Sequence, residues 1–336
     1  MLQGVTSSVV RRQFSVVVPC CARDEEEREN LRLCLAALRA CDPAPHEVIV
    51  VDDGSPAPIE GAAVRQANAG PASARNAGAA VATGDVLVFV DADVVVPPDA
   101  FARLAEGFAG NPDAAAIWGT VTAAHPHRGL VSRYKNLCHR HFTLAQETRT
   151  RHLTTMLAAV RRDAFVRSGG FDTRLRTVSV EDVELGRTLH DAGEVVLLDK
   201  ALAGEHRHRF TLARAVRNDF HKARHHVRTT LARRARGDDS VSLRGPGERR
   251  QLHYLVGVPL GAGAVAAALA GRWTLSAALA ATLVAWEQDL WSYLRREQGL
   301  GFAIACVPLM AIERTTVATA VAAGSLDHVR GILRSR

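Results

Sequence analysis

Aromatic residues make up only 5% of this 336-residue chain, too few for a surface that stacks single-stranded nucleic acid. Lysine is scarce: Lys135, Lys200 and Lys222 are the whole set among 42 basic residues, and the rest are arginine. No G-x-G-x-x-G and no G-K-[ST] occurs, which argues against a dinucleotide or P-loop phosphate site. The six cysteines (Cys20, Cys21, Cys34, Cys41, Cys138 and Cys306) form no C-x-x-C pair. They read as reduced thiols of a cytosol-facing protein, acting as small apolar groups. The first 13 residues lack a long apolar core and a small-residue cleavage site. The early part of the chain is therefore expected to stay in the cytoplasm.

What is present fits a folded protein. Hydrophobic residues reach 47% and charged residues 23%, which excludes a disordered or collagen-like chain. The length is enough for about two domains. From Phe14 onward, short β-branched runs alternate with helical spacing. Phe14–Pro19, Glu47–Val51 and Val86–Val90 read as buried strands, and Asp24–Ala40 carries Leu31, Cys34, Leu35 and Leu38 at helical intervals behind an acidic first turn. Continuous apolar strands between helices predict an α/β fold with a mostly parallel sheet covered on both faces. Ligands of such sheets sit beyond the carboxyl ends of the strands.

Those ends are acidic. Asp52-Asp53-Gly54-Ser55 follows the second strand and Asp91-Ala92-Asp93 the third. Two carboxylates spaced Asp-x-Asp suit a hard divalent ion such as Mg²⁺ or Mn²⁺. Asp52-Asp53 reads either as an acceptor of hydrogen bonds from a base or ribose, or as the start of an ordinary Asp-Gly turn. Between them lies the Gly-rich stretch Asn68–Gly78, which enters an Ala-rich helix with Arg75 near its start. Further on, Glu181-Asp182 offers a general base toward a hydroxyl, or simply the acidic first turn of a helix. His206 and His208 follow the last strand, as metal or phosphate contacts or as part of a solvated basic belt.

That belt is pronounced. Residues 201–250 hold thirteen Arg or Lys against five Asp or Glu, more than the net charge of +7 for the whole chain. The last ~85 residues then turn apolar. The segment from Leu252 to Gly271 reaches the ~17 residues that a bilayer span requires. Trp273–Trp286 is shorter, and the run from Gly299 to Ile312 is interrupted by Pro308, Glu313 and Arg314. A soluble helical hairpin is the other reading, but basic residues just before an apolar segment favour the cytoplasmic face of a membrane and its anionic headgroups.

Six segments in order (VVVPCCARDEEERENLRLCL, EVIVVDDGS, NAGPASARNAG, TGDVLVFVDADVVVPPD, AVRRDAFVRSGGFD and EDVELGRTL) resemble family 2 glycosyltransferases of the GT-A fold, over about Phe14 to Arg228. The resemblance implies a Rossmann-like domain in two halves: 14–112 for the nucleotide sugar and 113–236 for the acceptor. A basic linker at 237–251 and C-terminal helices at 252–336, expected to be membrane-embedded, follow. It implies that Asp53, beside Asp52, contacts the nucleotide base, that Arg75 lies near the nucleotide, and that Asp91 faces the ribose or metal. Asp93 would hold Mn²⁺ or Mg²⁺ on the donor diphosphate, with His206 at a position where many members have a histidine. Asp182 would be the catalytic base and Glu181 would support the acceptor site. Absence of a Q-x-x-R-W motif after Glu181-Asp182 favours single-sugar transfer over processive polymerisation. The partners implied are a UDP-, GDP- or dTDP-sugar, a glycan or lipid-linked acceptor and membrane lipid, without nucleic acid. The place implied is the inner face of a bacterial plasma membrane. Two alternatives stay open: a catalytically silent sugar-nucleotide-binding protein of the same fold, and a sugar nucleotidyltransferase.

Overall fold

The computed structural model describes residues 12–174, 180–235 and 248–334. In chain order the elements are β1 (Phe14–Cys20), α1 (Glu25–Arg39), β2 (Glu47–Asp53), β3 (Val64–Gln66), α2 (Pro71–Val81), β4 (Val86–Val90), β5 (Val94–Val95), α3 (Ala100–Gly110) and β6 (Ala114–Val121). Then come α4 (Leu130–Leu144), β7 (Leu157–Arg161), α5 (Arg162–Arg167), α6 (Glu181–Asp191), β8 (Val195–His206) and α7 (Leu212–Arg234). Four helices close the chain: α8 (Glu248–Leu269), α9 (Trp273–Trp286), α10 (Gln288–Gln298) and α11 (Leu300–Arg334). They form two compact units.

The first unit takes the described residues up to Thr120, then 146–174 and Glu181–His206. Its sheet runs β3-β2-β1-β4-β7-β6-β8-β5. The β3-β2-β1-β4 part is parallel, while β7 is antiparallel to both β4 and β6. The sheet is thus mixed, and its parallel half joins the three strands legible in the sequence with the short β3. Strand alternation separates two cores. Val16 and Val18 of β1, with Val86, Val88 and Val90 of β4, meet Leu31 and Leu38 of α1 and Phe101, Leu104 and Phe108 of α3. On the other face Val17, Leu87 and Phe89 meet Ala72 and Ala79 of α2, Phe165 of α5 and Leu185 and Leu189 of α6. Burial on both faces is why these strands read as continuous apolar runs.

Local chemistry sets the helix starts. Asp24 accepts a 2.8 Å hydrogen bond from the Glu27 amide and caps α1. Gly78 lets α2 lie close on the sheet: a Cβ there would stand 2.4 Å from a Val17 methyl. The six cysteines are all free, in keeping with reduced thiols that pack as apolar groups.

The second unit holds Val121–Ala145 with α4, Val180, and the described residues from Arg207 on. Tyr134 and Leu137 of α4 pack with Leu283 of α9, Leu290 and Leu294 of α10, and Cys306 and Met310 of α11. Among the described residues, one helical segment is long and apolar enough to cross a membrane by length and composition: Leu300–Arg330 of α11, with a mean hydropathy of 1.5 in its best window. The sequence points elsewhere, to Leu252–Gly271. There α8 runs from Glu248 to Leu269, with Val256–Leu269 as its described apolar part. The third apolar run, expected to break at Pro308, Glu313 and Arg314, continues as one helix. Pro308 removes one backbone donor without ending α11. Glu313 and Arg314 have partners inside the unit: Lys135 Nζ lies 3.0 Å from Glu313 and the Arg314 guanidinium 2.8 Å from Glu287.

Candidate functional site

Asp52 and Asp53 end β2, and both are enclosed by their own loops. Asp52 is fully buried and accepts hydrogen bonds from the amides of Ser55 (2.8 Å) and Ile59 (3.2 Å), with Arg65 Nε at 3.5 Å. Burial pushes this carboxyl up, but the Ser55 and Ile59 bonds and Arg65 outweigh it and leave it below the usual carboxylate range. Asp53 accepts from Gln66 Nε2 (2.7 Å) and from the amides of Ala69 and Gly70 (2.9 Å each). Gly70 has φ +92°, a conformation open to glycine, and Pro71 follows as the first residue of α2. Asp53 therefore fastens the loop from which α2 starts.

One turn into α2, Arg75 points back across the strand ends. Its side chain is buried between two carboxylates: Nη2 lies 2.8 Å from Asp91 Oδ1 and Nη1 3.0 Å from Glu181 Oε1. The guanidinium carbon stands 5.6 Å from the centre of the Phe171 ring, a cation–π contact. Asn76, the next residue, grips the backbone of Phe171 on both sides, donating to its carbonyl (2.8 Å) and accepting from its amide (3.0 Å). Burial alone would lower the arginine, yet Asp91 and Glu181 raise it above its ordinary value, so the cation is locked. Asp91 is pushed up by burial, and Asp93 adds to this against the pull of Arg75.

Asp91 closes β4, and its carbonyl accepts the Val94 amide at 2.9 Å, a tight turn that displays Asp93. Register explains what meets Asp93. β5 is antiparallel to β8 with Val94 opposite His206, so the histidine arrives beside it. His206 Nε2 lies 3.8 Å from Asp93 Oδ1, with side chains 13% and 24% exposed. β8 ends at His206, so strand alternation does not extend to His208.

Among the described residues no group of three His, Cys, Asp or Glu side chains stands close enough to enclose a metal ion. The Asp93–His206 pair, with Asp91 two residues away, is an incomplete donor set. That fits an ion such as Mg²⁺ or Mn²⁺, which takes one or two carboxylates and completes its shell with substrate phosphates. Asp182 is the second residue of α6 and only partly buried. Its oxygens accept from the Val183 amide (2.8 Å) and the Thr155 amide (3.4 Å), and its charge adds to the field on Arg75.

Of the residues singled out in the sequence, Arg75, Asp91 and Glu181 meet directly, Asp93 meets His206, and Asp182 sits next to Glu181. Asp52 and Asp53 stay in their own turn and reach this group only through α2. Glu181 is 3% exposed, turned into the protein. Asn76 and Phe171 went unnoticed in the sequence, although both lie inside segments quoted for the family resemblance. Thr155 carried no signal, because its part is played by a backbone amide.

A family model, Glycosyl transferase family 2, matches residues 15–168. Two curated proteins described as pre-mycofactocin glycosyltransferase, from two strains of Mycobacterium tuberculosis, are each 30% identical over 219 residues. The match covers 60% of this chain and 44% of theirs, so the chain spans less than half the length of these relatives. Among solved structures, a mannosyltransferase from Pyrobaculum calidifontis in complex with GDP-Man and Mn²⁺ superposes with a TM-score of 0.51 at 18% identity, covering 95% of this chain and 87% of that one. At that identity the likeness speaks for the fold.

Proposed function

We propose that this chain, which belongs to the family 2 glycosyltransferases and has the GT-A fold, transfers a single sugar from a nucleotide sugar to an acceptor hydroxyl with inversion at the anomeric carbon. The observation that carries this reading is the convergence of Asp91 and Glu181 on one guanidinium, with the Asp93–His206 pair two residues beyond Asp91 and Asp182 one beyond Glu181. The donor is a UDP-, GDP- or dTDP-sugar, and the acceptor a cell-envelope glycan or a lipid-linked one.

The roles are those the family resemblance implies, and exposure and charge support them. Asp93 and His206 would hold a divalent ion, Mn²⁺ or Mg²⁺, with Asp91 available to the ribose or the same ion. When bound, such an ion neutralises charge that develops on the leaving diphosphate. Asp182, less buried than its neighbour Glu181, takes the proton from the acceptor hydroxyl as the oxygen attacks the anomeric carbon on the face opposite the diphosphate. A single displacement inverts that centre. Glu181 keeps the start of α6 against Arg75, which keeps Asp182 on the same side as Asp91. Asp53 holds the loop in front of α2 against which the nucleotide base rests, and Asp52 supports the turn behind it.

The protein works at the inner face of the plasma membrane. Support comes from the apolar α11 segment and from exposed apolar side chains on the C-terminal helices, Leu269 (86%) and Trp273 (70%) foremost. The test is a donor panel with membranes, scored for nucleoside diphosphate release with and without Mn²⁺ or Mg²⁺. Metal-dependent release with one donor family, lost in Asp93→Ala, is the expected result. Pyrophosphate release would point instead to a nucleotidyltransferase, and absence of any turnover to a silent binding protein.

A further inference from the structure

Viewed down its axis, α7 carries an unusual arrangement of charge. At 100° per residue, Arg214, Arg217, His221, Arg224 and Arg228 fall within an arc of about 80°. They span 14 residues, or about 21 Å of helix. Arg214, Arg217, His221 and Arg228 are exposed. The one acidic residue between Leu212 and Arg234 is Asp219, which lies on another side of the helix and accepts from Lys135 of α4 at 2.9 Å. Ala215 is buried on that side too. α11 also lines α7: a Cβ on Gly324 would stand 2.7 Å from the Arg224 carbonyl. Arg214, Arg217, His221 and Arg228 thus stay exposed beside the faces of α7 that meet α4 and α11, while Arg224 at the edge of the stripe turns to α11.

Arg224 Nε binds Asp327 of α11 at 2.6 Å, and the residues on either side of this aspartate include Leu326 and Val329, 57% and 51% exposed. A row of exposed arginines along one helix face has the charge that suits the anionic phosphates of a headgroup layer. Duplex or single-stranded nucleic acid would also attract the charge, but no exposed aromatic residue stands on α7 to stack a base.

We propose that the Arg214–Arg217–Arg228 face of α7 is a docking surface for anionic phospholipid, which orients the helical unit on the membrane by charge. This rests on the membrane reading above and adds to it a specific face and a specific lipid class. Phosphate diesters of the headgroups meet the guanidinium forks, and each arginine near such a surface contributes about fivefold to partitioning.

Flotation of the full chain tests this, using vesicles of phosphatidylcholine alone and vesicles containing phosphatidylglycerol. The triple variant R214Q/R217Q/R228Q changes exposed side chains, and donor-dependent nucleoside diphosphate release together with the circular dichroism spectrum reports that it is folded. Expected is partitioning onto phosphatidylglycerol vesicles lowered on the order of 100-fold in the variant. That gap should close in high salt, with unchanged partitioning onto phosphatidylcholine. Equal partitioning of both proteins onto both vesicles overturns the docking face and leaves the membrane reading standing. Failure of the wild-type chain to float with either vesicle overturns the membrane reading and this face with it. Preferential binding of RNA over anionic vesicles, lost in the triple variant, overturns the lipid assignment in favour of nucleic acid.

Discussion

Both units bury a cationic side chain between two carboxylates, and the two clusters behave differently because of what surrounds them. In the sheet unit Arg75 sits between Asp91 and Glu181 at the strand ends, and Asp91 keeps 30% of its side chain open. In the helical unit Lys135 sits between Asp219 and Glu313, whose side chains are 18% and 17% exposed, with the Tyr134 hydroxyl 2.6 Å from Glu313. The first cluster lies beside the turn that carries Asp93 and the start of α6 that carries Asp182. The second is closed by α4, α7 and α11 and ties three helices together. Buried ion pairs are weak evidence for net stability, so their location decides their use: one stands at the strand ends with Asp91 partly open, the other braces three helices.

The largest expected effect separates chemistry from scaffold. Asp182→Asn should fold and bind donor while transfer falls about 10²–10⁴-fold, the usual contribution of a positioned base. Turnover near wild type, measured alongside donor binding, would remove Asp182 from its role. Next comes the direct comparison of the two cations. Arg75→Met and Lys135→Met each leave two buried carboxylates uncompensated and should each destabilise by about 3–5 kcal/mol in urea unfolding. Only Arg75→Met should also weaken donor binding. Equal loss of donor binding in Lys135→Met would erase the distinction between strand-end cluster and brace.

The smallest effect tests the sheet unit away from the site. Glu47 accepts from the Ser15 hydroxyl (2.6 Å) and from the amide (2.7 Å) and hydroxyl (2.6 Å) of Thr83. Burial raises this carboxyl, but the Ser15 and Thr83 bonds prevail and hold it at about 2. A depressed folded value means that its stabilisation is present above the unfolded value and is lost as pH falls from there to about 2. Glu47→Gln should therefore be less stable by about 1 kcal/mol at neutral pH, and the two unfolding curves should converge in acid. A gap that persists at low pH would place the effect in packing instead.

Much of the sheet unit was legible because its signals are local. β1, β2 and β4 announce themselves as β-branched runs, and the acidic pairs at their ends stand where open α/β sheets bind ligands. Asp24 reads as a helix start and caps α1. The helical unit was harder. Ala- and Gly-rich helices give a shallow hydropathy signal, and Pro308, Glu313 and Arg314 look like breaks when their partners are unknown. Those partners, Lys135 and Glu287, lie 178 and 27 residues away. Spacing rules that reach four residues along a helix do not see them.

Residue order alone determined the α/β class, the strand-end carboxylates and the family likeness, since each is written in short runs whose periodicity or spacing survives without neighbours. Folding decided the pairings. Arg75 meets Glu181 across 106 positions, and His206 meets Asp93 because two strands run antiparallel in one register. Asp53 turned to its own loop, where it accepts from the amides of Ala69 and Gly70. Such choices depend on which elements pack together, and a backbone polar group enclosed by that packing must find a partner within reach.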